Sequence, residues 1–419
     1  MTTVAQFEIV ISEKCNRCGM CAEYCAFGVI VLENKGIKVC KSEDCNGCSA
    51  CVDVCPQQAI SIKKNSEPEI RINCAAGEKE LLLPVEKVKK FVNKILINSG
   101  VPYAEAMIVA DSLLEADLRG IESHGLARLP GYLKRIEQGL MLPNTEFAVL
   151  SCRGVVLVCD AGNGWGQVAG IKAMELCMEK AKKYGAGIAT IRGSNHFGIA
   201  SYYTLAASKA GFIGIAMGNT GPSMAAWGGN IPVLGTNPIS ISAPAPWGDF
   251  CVDMALTTVA KSKIRLAARE GRFIPADWAL DVNGKPTTDP QSAIEGTLQP
   301  AGGAKGYAAA LIVDLLSGIL SGGAYATDVH GSHDSRGIAN VSQFLAVINP
   351  GFFLEPNDFT QRLADWADKI KAGQTTIRLP GERTGSLRVR TVAEGLKMRT
   401  KTRTELELLA QKMQIPVPW

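Results

Sequence analysis

The sequence predicts an α/β fold with a mixed sheet, preceded by a small α+β unit at the N-terminus. Two observations carry this prediction. Eight of the 14 cysteines form two runs of the same spacing within the first 55 residues, and a short segment with so many ligands is expected to fold around metal. Beyond them, helical and strand patterns are mixed without the regular βαβ alternation of a doubly wound sheet.

The two cysteine runs both read C-x-x-C-x-x-C-x-x-x-C, and Pro56 follows the second. This spacing resembles that of two-cluster bacterial ferredoxins, in which the fourth cysteine of each run binds the other cluster. Structural zinc and a disulfide framework are the alternatives, and a duplicated run disfavours both. We therefore predict two [4Fe–4S] clusters, one bound by Cys15, Cys18, Cys21 and Cys55, the other by Cys25, Cys45, Cys48 and Cys51.

Composition and charge exclude several classes of protein. Of the 419 residues, 47% are hydrophobic and 20% are charged, which is typical of a globular chain. The net charge is only +4 and no basic run resembles a nucleic-acid-binding arm, so we expect neither nucleic acid nor a membrane as a partner. No apolar stretch reaches membrane-spanning length, and the N-terminus lacks a secretory pattern. Because iron–sulfur clusters belong in a reducing compartment, we expect a cytoplasmic protein.

Changes in pattern along the chain indicate three parts. The cysteine-rich unit occupies residues 1–63, a polar linker occupies 64–83, and a larger domain occupies 84–419. In the larger domain, Val88, Phe91 and Ile95 recur at helical spacing between Pro84 and Gly100. The same reasoning predicts helices at Val85–Ser99, Tyr103–Leu118, Val168–Lys183, Tyr202–Lys209, Val259–Glu270, Gly306–Leu320, Phe359–Lys371 and Glu405–Lys412.

Short apolar and β-branched runs predict the strands of the mixed sheet. They lie at Val155–Cys159, Gly187–Ile191, Phe212–Met217 and Phe344–Ile348, with a hairpin formed by Ile239–Ala243 and Cys251–Met254. The glycine-rich segment Gly162–Gly166 lies between a strand and a helix, as in a Rossmann fold. Its spacing is G-x-G-x-G and no acidic residue ends a second strand about twenty residues later, so we interpret it as a structural turn.

Only four histidines can relay a proton near neutral pH. His124 precedes Arg128 by four residues, and if the segment is helical the two side chains share a face. A guanidinium beside an imidazole suits a 2-oxo or 2-hydroxy carboxylate, although a capping histidine and a surface arginine fit equally well. His196 follows a predicted strand among glycines, which suits a site loop or a turn. His330 and His333 lie in a polar stretch that we expect to be a solvated loop.

Nine segments, in order, resemble the type-2 malate/L-lactate dehydrogenase family, which includes ureidoglycolate and sulfolactate dehydrogenases and reductases of cyclic imino acids. The segments are Glu122-Ser123-His124-Gly125 with Arg128, Gly162-Asn163-Gly164, Gly193-Ser194-Asn195-His196-Phe197-Gly198, Trp227-Gly228-Gly229, Gly235-Thr236-Asn237-Pro238, Val252-Asp253-Met254-Ala255, Arg269-Glu270-Gly271-Arg272, Gly302-Gly303-Ala304-Lys305-Gly306 and Leu379-Pro380-Gly381-Glu382-Arg383.

The resemblance implies a non-Rossmann NAD(P)-binding fold that works as a homodimer. It implies that His124 is the acid/base group, that Asp253 partners this histidine and raises its pKa, and that Ser123, Arg128 and His196 contact the substrate, with His196 also among the catalytic residues. It further implies cofactor contacts from Val252, Asp253, Met254, Thr257, Thr258, Ala304, Lys305, Gly306, Gly381, Glu382 and Arg383. For Asp253 and Lys305 the alternatives are a helix cap and a surface cation.

The activity implied is reversible hydride transfer between NAD or NADP and a small 2-oxo or 2-imino carboxylate, giving the malate-, lactate- or sulfolactate-like 2-hydroxy acid, or the 2-amino acid. The clusters carry single electrons, and no flavin motif is visible to connect them with nicotinamide. We therefore expect them to exchange electrons with a redox protein partner, such as a flavoprotein. The alternative is an iron–sulfur electron-transfer subunit whose dehydrogenase-like domain binds a ligand or partner without turnover.

Overall fold

The computed structural model describes residues 7–16, 18, 20–23, 29–33, 36–40, 50–53, 55–64, 82–269, 271–331 and 334–419. The chain divides into two compact units, Met1–Lys79 and Glu80–Trp419. Several predictions fall outside the described residues: the cluster ligands Cys25, Cys45 and Cys48, most of the linker, and His333. Within the described ranges, no helix combines the length and apolarity needed to cross a membrane.

The described residues of the N-terminal unit form two antiparallel strand pairs and two short helices. The pairs are β1 (Phe7–Ile11) with β4 (Ile60–Lys64), and β2 (Ile30–Glu33) with β3 (Gly36–Val39). Each helix lies within a cysteine run: α1 spans Met20–Glu23 and α2 spans Ala50–Asp53. Cys21 and Cys51 are buried in a small core with Ile30 and Ile60. The few apolar residues of this core agree with a unit that depends on metal for stability.

The larger unit is built on a seven-stranded mixed sheet in the order β13-β12-β9-β16-β8-β7-β6. Only β7 and β8 run parallel, connected by helix α6, whereas the other neighbours are antiparallel. These strands are β6 (Ala148–Arg153), β7 (Val156–Asp160), β8 (Ala186–Ser194), β9 (Ile213–Gly218), β12 (Ile239–Ala245), β13 (Gly248–Met254) and β16 (Val341–Ile348).

The remaining strands of the larger unit form two smaller sheets. The first has the order β11-β10-β15-β14, with β10 (Met224–Ala225), β11 (Pro232–Leu234), β14 (Ala279–Leu280) and β15 (Thr297–Leu298). In the second, β5 (Leu82–Leu83) pairs with β17 (Leu396–Lys397). The helices are α3 (Val85–Asn98), α4 (Tyr103–Leu118), α5 (Leu129–Glu137), α6 (Gly166–Tyr184), α7 (Ser201–Lys209), α8 (Lys261–Arg269), α9 (Pro290–Glu295), α10 (Ala304–Asp314), α11 (Pro356–Lys371), α12 (Glu382–Glu394) and α13 (Thr400–Lys412).

The predicted fold class, a mixed α/β sheet without Rossmann topology, is confirmed. The predicted hairpin is also confirmed, since Ile239–Ala245 pairs antiparallel with Gly248–Met254. One predicted helix ends early: α10 stops at Asp314 and a π-helical turn, Leu315–Ile319, follows. The Asp314 carboxylate accepts hydrogen bonds from Asn219 Nδ2 at 3.2 Å and from Ala326 N at 2.9 Å. These contacts connect the end of α10 to the segments around it.

Two buried cores hold the secondary structure in place around the predicted site. Helices α3 and α4 pack with Leu126, Leu129 and Trp165 in one core, and α6 and α7 pack against the sheet in the other. The segment between α4 and α5 and the loop between β8 and α7 carry the two predicted site histidines. Both segments are anchored in these cores.

Candidate active site

His124 and Arg128 lie on two short 3₁₀ turns, Glu122–His124 and Leu126–Arg128, which Gly125 separates. The segment is therefore not one continuous helix, so the condition under which His124 and Arg128 would share a helix face is not met. The physical reason is Asp117: its Oδ2 accepts the Leu126 amide hydrogen at 2.9 Å, and its Oδ1 lies 1.9 Å from where a Gly125 Cβ would be. The Asp117 carboxylate takes the space of a side chain at Gly125 and holds the two turns.

Loss of water contact raises the pKa of the Asp117 carboxyl to about 7, against a lowering contribution from the Leu126 hydrogen bond. Because its folded pKa is above the ordinary value of 3.8, ionisation of this group opposes folding. The stability that it contributes is complete below about pH 4 and is lost as the pH rises through about 7.

We expect Asp117→Asn to remove part of the pH dependence of stability. The larger unit of the wild-type protein should melt at a lower temperature at pH 8 than at pH 5.5, and Asp117→Asn should reduce this difference because it cannot ionise. Calorimetric melting of both proteins at both pH values measures this. Asp358→Asn, on the exposed face of α11, is the control. An undiminished pH difference in Asp117→Asn would contradict the assignment.

The His124 imidazole is held in a defined orientation and is neutral at physiological pH. Its Nδ1 lies 2.9 Å from the Ser123 hydroxyl. Loss of solvent, and secondly the charge of Arg128, lower the pKa of His124 to about 4. The prediction that a carboxylate raises the pKa of His124 is therefore wrong. Arg128 Nε donates to the Ser123 carbonyl at 2.6 Å, which fixes the guanidinium beside the same residue that orients His124.

The structure brings His196 against His124. The two rings are stacked with centroids 5.5 Å apart and an angle of 28° between their planes. His196 Nδ1 lies 3.2 Å from the amide nitrogen of Gly198, which donates to it, and 2.6 Å from the Tyr132 hydroxyl. Since a ring nitrogen that accepts an amide hydrogen carries no proton, the neutral His196 has its proton on Nε2.

Sequence reasoning missed Tyr132, which lies on α5 and is buried. Burial raises the pKa of its hydroxyl to about 12, so the group stays protonated and can donate to His196. The Tyr132 ring meets the buried Trp165 edge-on, with centroids 5.7 Å apart. Trp165 Nε1 in turn donates to the Pro143 carbonyl at 2.9 Å. This chain of contacts fixes the position of the Tyr132 hydroxyl.

We expect Tyr132→Phe to lower kcat roughly tenfold, with a smaller change in KM, because loss of one hydrogen bond leaves the His196 ring less firmly oriented. Steady-state kinetics with the preferred substrate measure this effect. Tyr103→Phe is a suitable control because Tyr103 is 69% exposed. Unchanged kcat in a folded Tyr132→Phe protein would show that the contact is only structural.

The glycine-rich segment Gly162–Gly166 is a tight turn, as predicted. Gly162 and Asn163 have positive φ angles of 54° and 56°. Asn195 Nδ2 donates to the Asn163 and Gly164 carbonyls, both at 2.9 Å. The turn therefore supports the loop that carries His196.

Asp253 differs from its predicted role. Its Oδ2 accepts the backbone N–H of Ser201 at 2.9 Å, at the start of α7. The recorded side-chain partner of His124 is Ser123. The helix-cap alternative thus describes the contact that Asp253 makes, and the histidine partner is a different residue. Asp253 lies on β13, which packs against α7, and its carboxylate therefore reaches the start of that helix.

The predicted cofactor residues are distributed along and beyond β13. Val252, Asp253 and Met254 lie in the strand, and Thr257 and Thr258 follow it. The Thr258 amide donates to the Gln299 carbonyl at 2.9 Å, which brings this segment beside the loop leading to Ala304, Lys305 and Gly306. In the middle of the strand, the Cys251 amide donates to the Pro380 carbonyl at 3.1 Å, next to Gly381, Glu382 and Arg383.

Elements that carry the histidines also meet β13. Arg119, five residues before His124, donates to Asp249 at 2.8 Å, and Asp253 caps the helix that follows His196. Lys305 is exposed in the first turn of α10, and no contact with either histidine is recorded for it. His124, Arg128 and His196 thus lie together in the structure. The elements that carry the two histidines also contact β13, on which several of the predicted cofactor residues lie.

The four thiols predicted to bind one cluster, Cys15, Cys18, Cys21 and Cys55, all lie within the described residues, which show no group of side chains already arranged around a metal position. Burial raises the pKa of the Cys21 thiol, with further raising contributions from Cys15, Cys55 and Cys18. The Ala59 amide donates to Cys55 Sγ at 3.3 Å. This set of thiols with an N–H···S bond fits the ligand chemistry of a [4Fe–4S] cluster. Of the second predicted set, Cys51 is described and is buried.

Comparison with known proteins identifies both parts of the chain. Residues 83–407, which form this mixed sheet of non-Rossmann topology, match the family model for malate/L-lactate dehydrogenase. Residues 14–59 match the model for a 4Fe-4S dicluster domain. The chain therefore belongs to the malate/L-lactate dehydrogenase family and carries an N-terminal iron–sulfur domain, which confirms the resemblance found in the sequence.

Two relatives match this chain over most of their own length. The chain is 36% identical over 339 residues to the malate/(S)-sulfolactate dehydrogenase of Methanothermus fervidus, covering 81% of this chain and 100% of that protein. It is 39% identical over 306 residues to the L-sulfolactate dehydrogenase of Methanocaldococcus jannaschii, covering 72% and 89%. The solved structure of sulfolactate dehydrogenase from Methanocaldococcus jannaschii superposes with a TM-score of 0.76 at 36% identity, covering 80% and 98%.

Proposed function

We propose that the protein is an NAD(P)-dependent oxidoreductase that interconverts a small 2-hydroxy carboxylate and its 2-oxo form, with a 2-imino acid as the related substrate. The observation that carries this proposal is the convergence of His124, Arg128 and His196. The substrate class follows from Arg128, whose guanidinium suits a carboxylate. Sulfolactate and malate are the leading candidates, since similar enzymes bear these names.

Side chains of the protein can accept and return the proton of the substrate hydroxyl. A neutral His124, with Nδ1 oriented by Ser123, can take the hydroxyl proton of a 2-hydroxy acid at Nε2. In the reverse direction the protonated ring returns the proton to the oxygen. A substrate carboxylate on Arg128 offsets the positive charge that lowers the pKa of His124, and so favours that protonated form. His196 Nε2–H can donate a hydrogen bond to the same oxygen. A bound nicotinamide supplies or accepts the hydride.

A substrate panel tests this function. The full chain, purified without oxygen, is assayed with sulfopyruvate, oxaloacetate, pyruvate and a cyclic imino acid, each with NADH and NADPH. We expect turnover with at least one 2-oxo or imino acid. Absence of turnover with every pair, in a protein with intact clusters, would favour the alternative of an electron-transfer subunit.

We further propose that two [4Fe–4S] clusters serve a redox protein partner and do not take electrons from NAD(P)H directly. Clusters pass single electrons, whereas nicotinamide exchanges a hydride, and a flavin normally converts between the two. Stopped-flow mixing of the oxidised protein with NAD(P)H, without flavin, tests this. Cluster reduction at the rate of turnover would refute it.

We also propose a cytoplasmic homodimer composed of a cluster domain at 1–63, a linker at 64–83 and a dehydrogenase domain at 84–419. An apolar stripe on α10 and the turn after it supports the dimer, because large side chains there are 43–57% exposed: Leu311, Ile312, Leu315, Ile319 and Leu320. Light scattering should give twice the chain mass, and Leu315→Glu should lower it. Val392→Glu, at an equally exposed position on α12, is the control.

A further inference from the structure

A cavity of about 1040 Å³ lies between the β12–β13 turn, the loop after α11 and the start of α12. Trp247 and Asp249 line it from the hairpin, and Arg378 lines it from the loop. Gly381 and Arg383, at the start of the helix, also belong to its wall. The predicted cofactor residues at this end of β13 therefore border a concave space of a size suited to a ligand.

The cavity wall carries a surplus of positive charge. Its two acidic side chains are already paired: Asp249 with Arg119 at 2.8 Å, and Glu382 with Lys371 at 2.5 Å. Four further cations line the wall and make no ion pair or side-chain hydrogen bond within the described part of the chain; they are Lys209, Arg378, Arg383 and Arg390. Arg383 and Arg390 are seven residues apart on α12 and so share a face. The three arginines of this group are exposed to solvent, and exposed cations alone do not define a binding site.

Arg119 indicates an anionic ligand independently of the exposed arginines. This residue lines the cavity and is only 2% exposed. Its Nε donates to Glu115 and its Nη2 donates to Asp249, each at 2.8 Å. Its third nitrogen, Nη1, is buried and has no hydrogen-bond partner. A buried guanidinium N–H without an acceptor is unfavourable, so an anionic ligand whose oxygen came within hydrogen-bond distance of Nη1 would be stabilised there.

The start of α12 adds a second source of positive potential. Gly381 precedes the helix with φ of 97°, and no side chain caps the first turn. A Cβ at this position would lie 2.2 Å from the Asp249 carbonyl, so glycine lets the helix start approach the hairpin backbone. Uncapped amide groups at a 13-residue helix favour a phosphate or another anion.

We propose that this cavity binds the phosphate-bearing end of NADP(H), and that Arg378, Arg383 and Arg390 select it over NAD(H). The inference rests on the proposed function and adds the choice of cofactor. Arg119 and the start of α12 can serve the diphosphate that both dinucleotides share. A 2′-phosphate adds about −1.5 to −2 charges at neutral pH, and the surplus arginines complement that extra group. Guanidinium groups suit phosphate because they donate two parallel hydrogen bonds.

Calorimetric titration of the full-length protein with NADP⁺, NAD⁺ and 2′,5′-ADP tests the proposal. We expect NADP⁺ to bind at least about tenfold more tightly than NAD⁺, and 2′,5′-ADP to compete with it. The double variant Arg378→Ala/Arg390→Ala should lose roughly tenfold or more in NADP⁺ affinity, with a much smaller change for NAD⁺. Arg362→Ala, an exposed arginine of α11 outside the cavity wall, should retain the wild-type ratio.

Two results would overturn the inference while leaving the proposed function intact. One is NAD⁺ binding as tightly as NADP⁺ in the wild type, and the other is an affinity ratio that survives the double variant. Failure of both dinucleotides to bind, together with absent turnover in the substrate panel, would instead contradict the proposed function and this inference with it. The melting temperature of each variant verifies that it is folded.

Discussion

Replacement of His124 by alanine is expected to lower kcat/KM for the 2-hydroxy acid about 10²- to 10⁴-fold, the usual contribution of a general acid or base. The reason is that no other side chain in the described site combines a neutral imidazole with a position beside Arg128. Because the substrate carboxylate is held by a different residue, KM should change less than kcat. Steady-state kinetics in both directions measure the effect.

His330→Ala is the matched control for this variant. His330 is also a half-buried histidine, but its Nδ1 pairs with Asp334 at 3.2 Å, in a separate loop. We expect this variant to keep wild-type kinetics within about twofold, as is usual for a substitution away from the chemistry. If His124→Ala retained full turnover in a folded protein, the acid/base assignment would be wrong, and His196 would be the remaining imidazole of the pair.

Replacement of Arg128 should have the second large effect, and it should change two separate quantities, the KM for the substrate and the pKa of His124. Arg128→Ala should raise KM for the substrate roughly 10²-fold or more, because a carboxylate loses charge-assisted hydrogen bonds. It should also raise the pKa of His124 above its wild-type value of about 4, because the charge of Arg128 is one of the two causes of the lowered pKa. NMR titration of the His124 ring resolves the second effect independently of activity.

Arg153→Ala serves as the control, since Arg153 is exposed at the end of β6. It should leave both KM and the His124 titration unchanged. In an Arg128→Lys protein the pKa of His124 should stay partly lowered, because the positive charge remains. Substrate binding should stay weak, because lysine cannot donate two parallel hydrogen bonds. If Arg128→Ala binds substrate normally, the carboxylate is held elsewhere.

Features encoded by local sequence were predicted well. Helix Val85–Asn98 was expected at Val85–Ser99, because its apolar residues recur at helical spacing between a proline and a glycine. The sequence also predicts the hairpin of β12 and β13, because apolar and β-branched residues flank a turn. The cysteine runs are also local signals, since ligand spacing specifies the cluster chemistry before any tertiary contact is known.

Features that depend on distant contacts were not predictable in the same way. The break at Gly125 is caused by Asp117, which approaches through space and replaces a helical turn. Asp253 was assigned to His124, yet the strand places it at the start of α7, 52 positions away from Ser201 in sequence. Tyr132 was missed because nothing in its own helix distinguishes it from a core aromatic residue. Only its position, 2.6 Å from His196 Nδ1, reveals its role.

The central claim is that Arg128 and His124 hold the two ends of one small acid. The most direct measurement is a crystal structure of the full chain with oxamate, an unreactive 2-oxo acid analogue, and a bound nicotinamide cofactor. The account predicts the oxamate carboxylate on the Arg128 guanidinium and its 2-oxo oxygen within hydrogen-bond distance of His124. Oxamate bound at another site, with no contact to either residue, would contradict it.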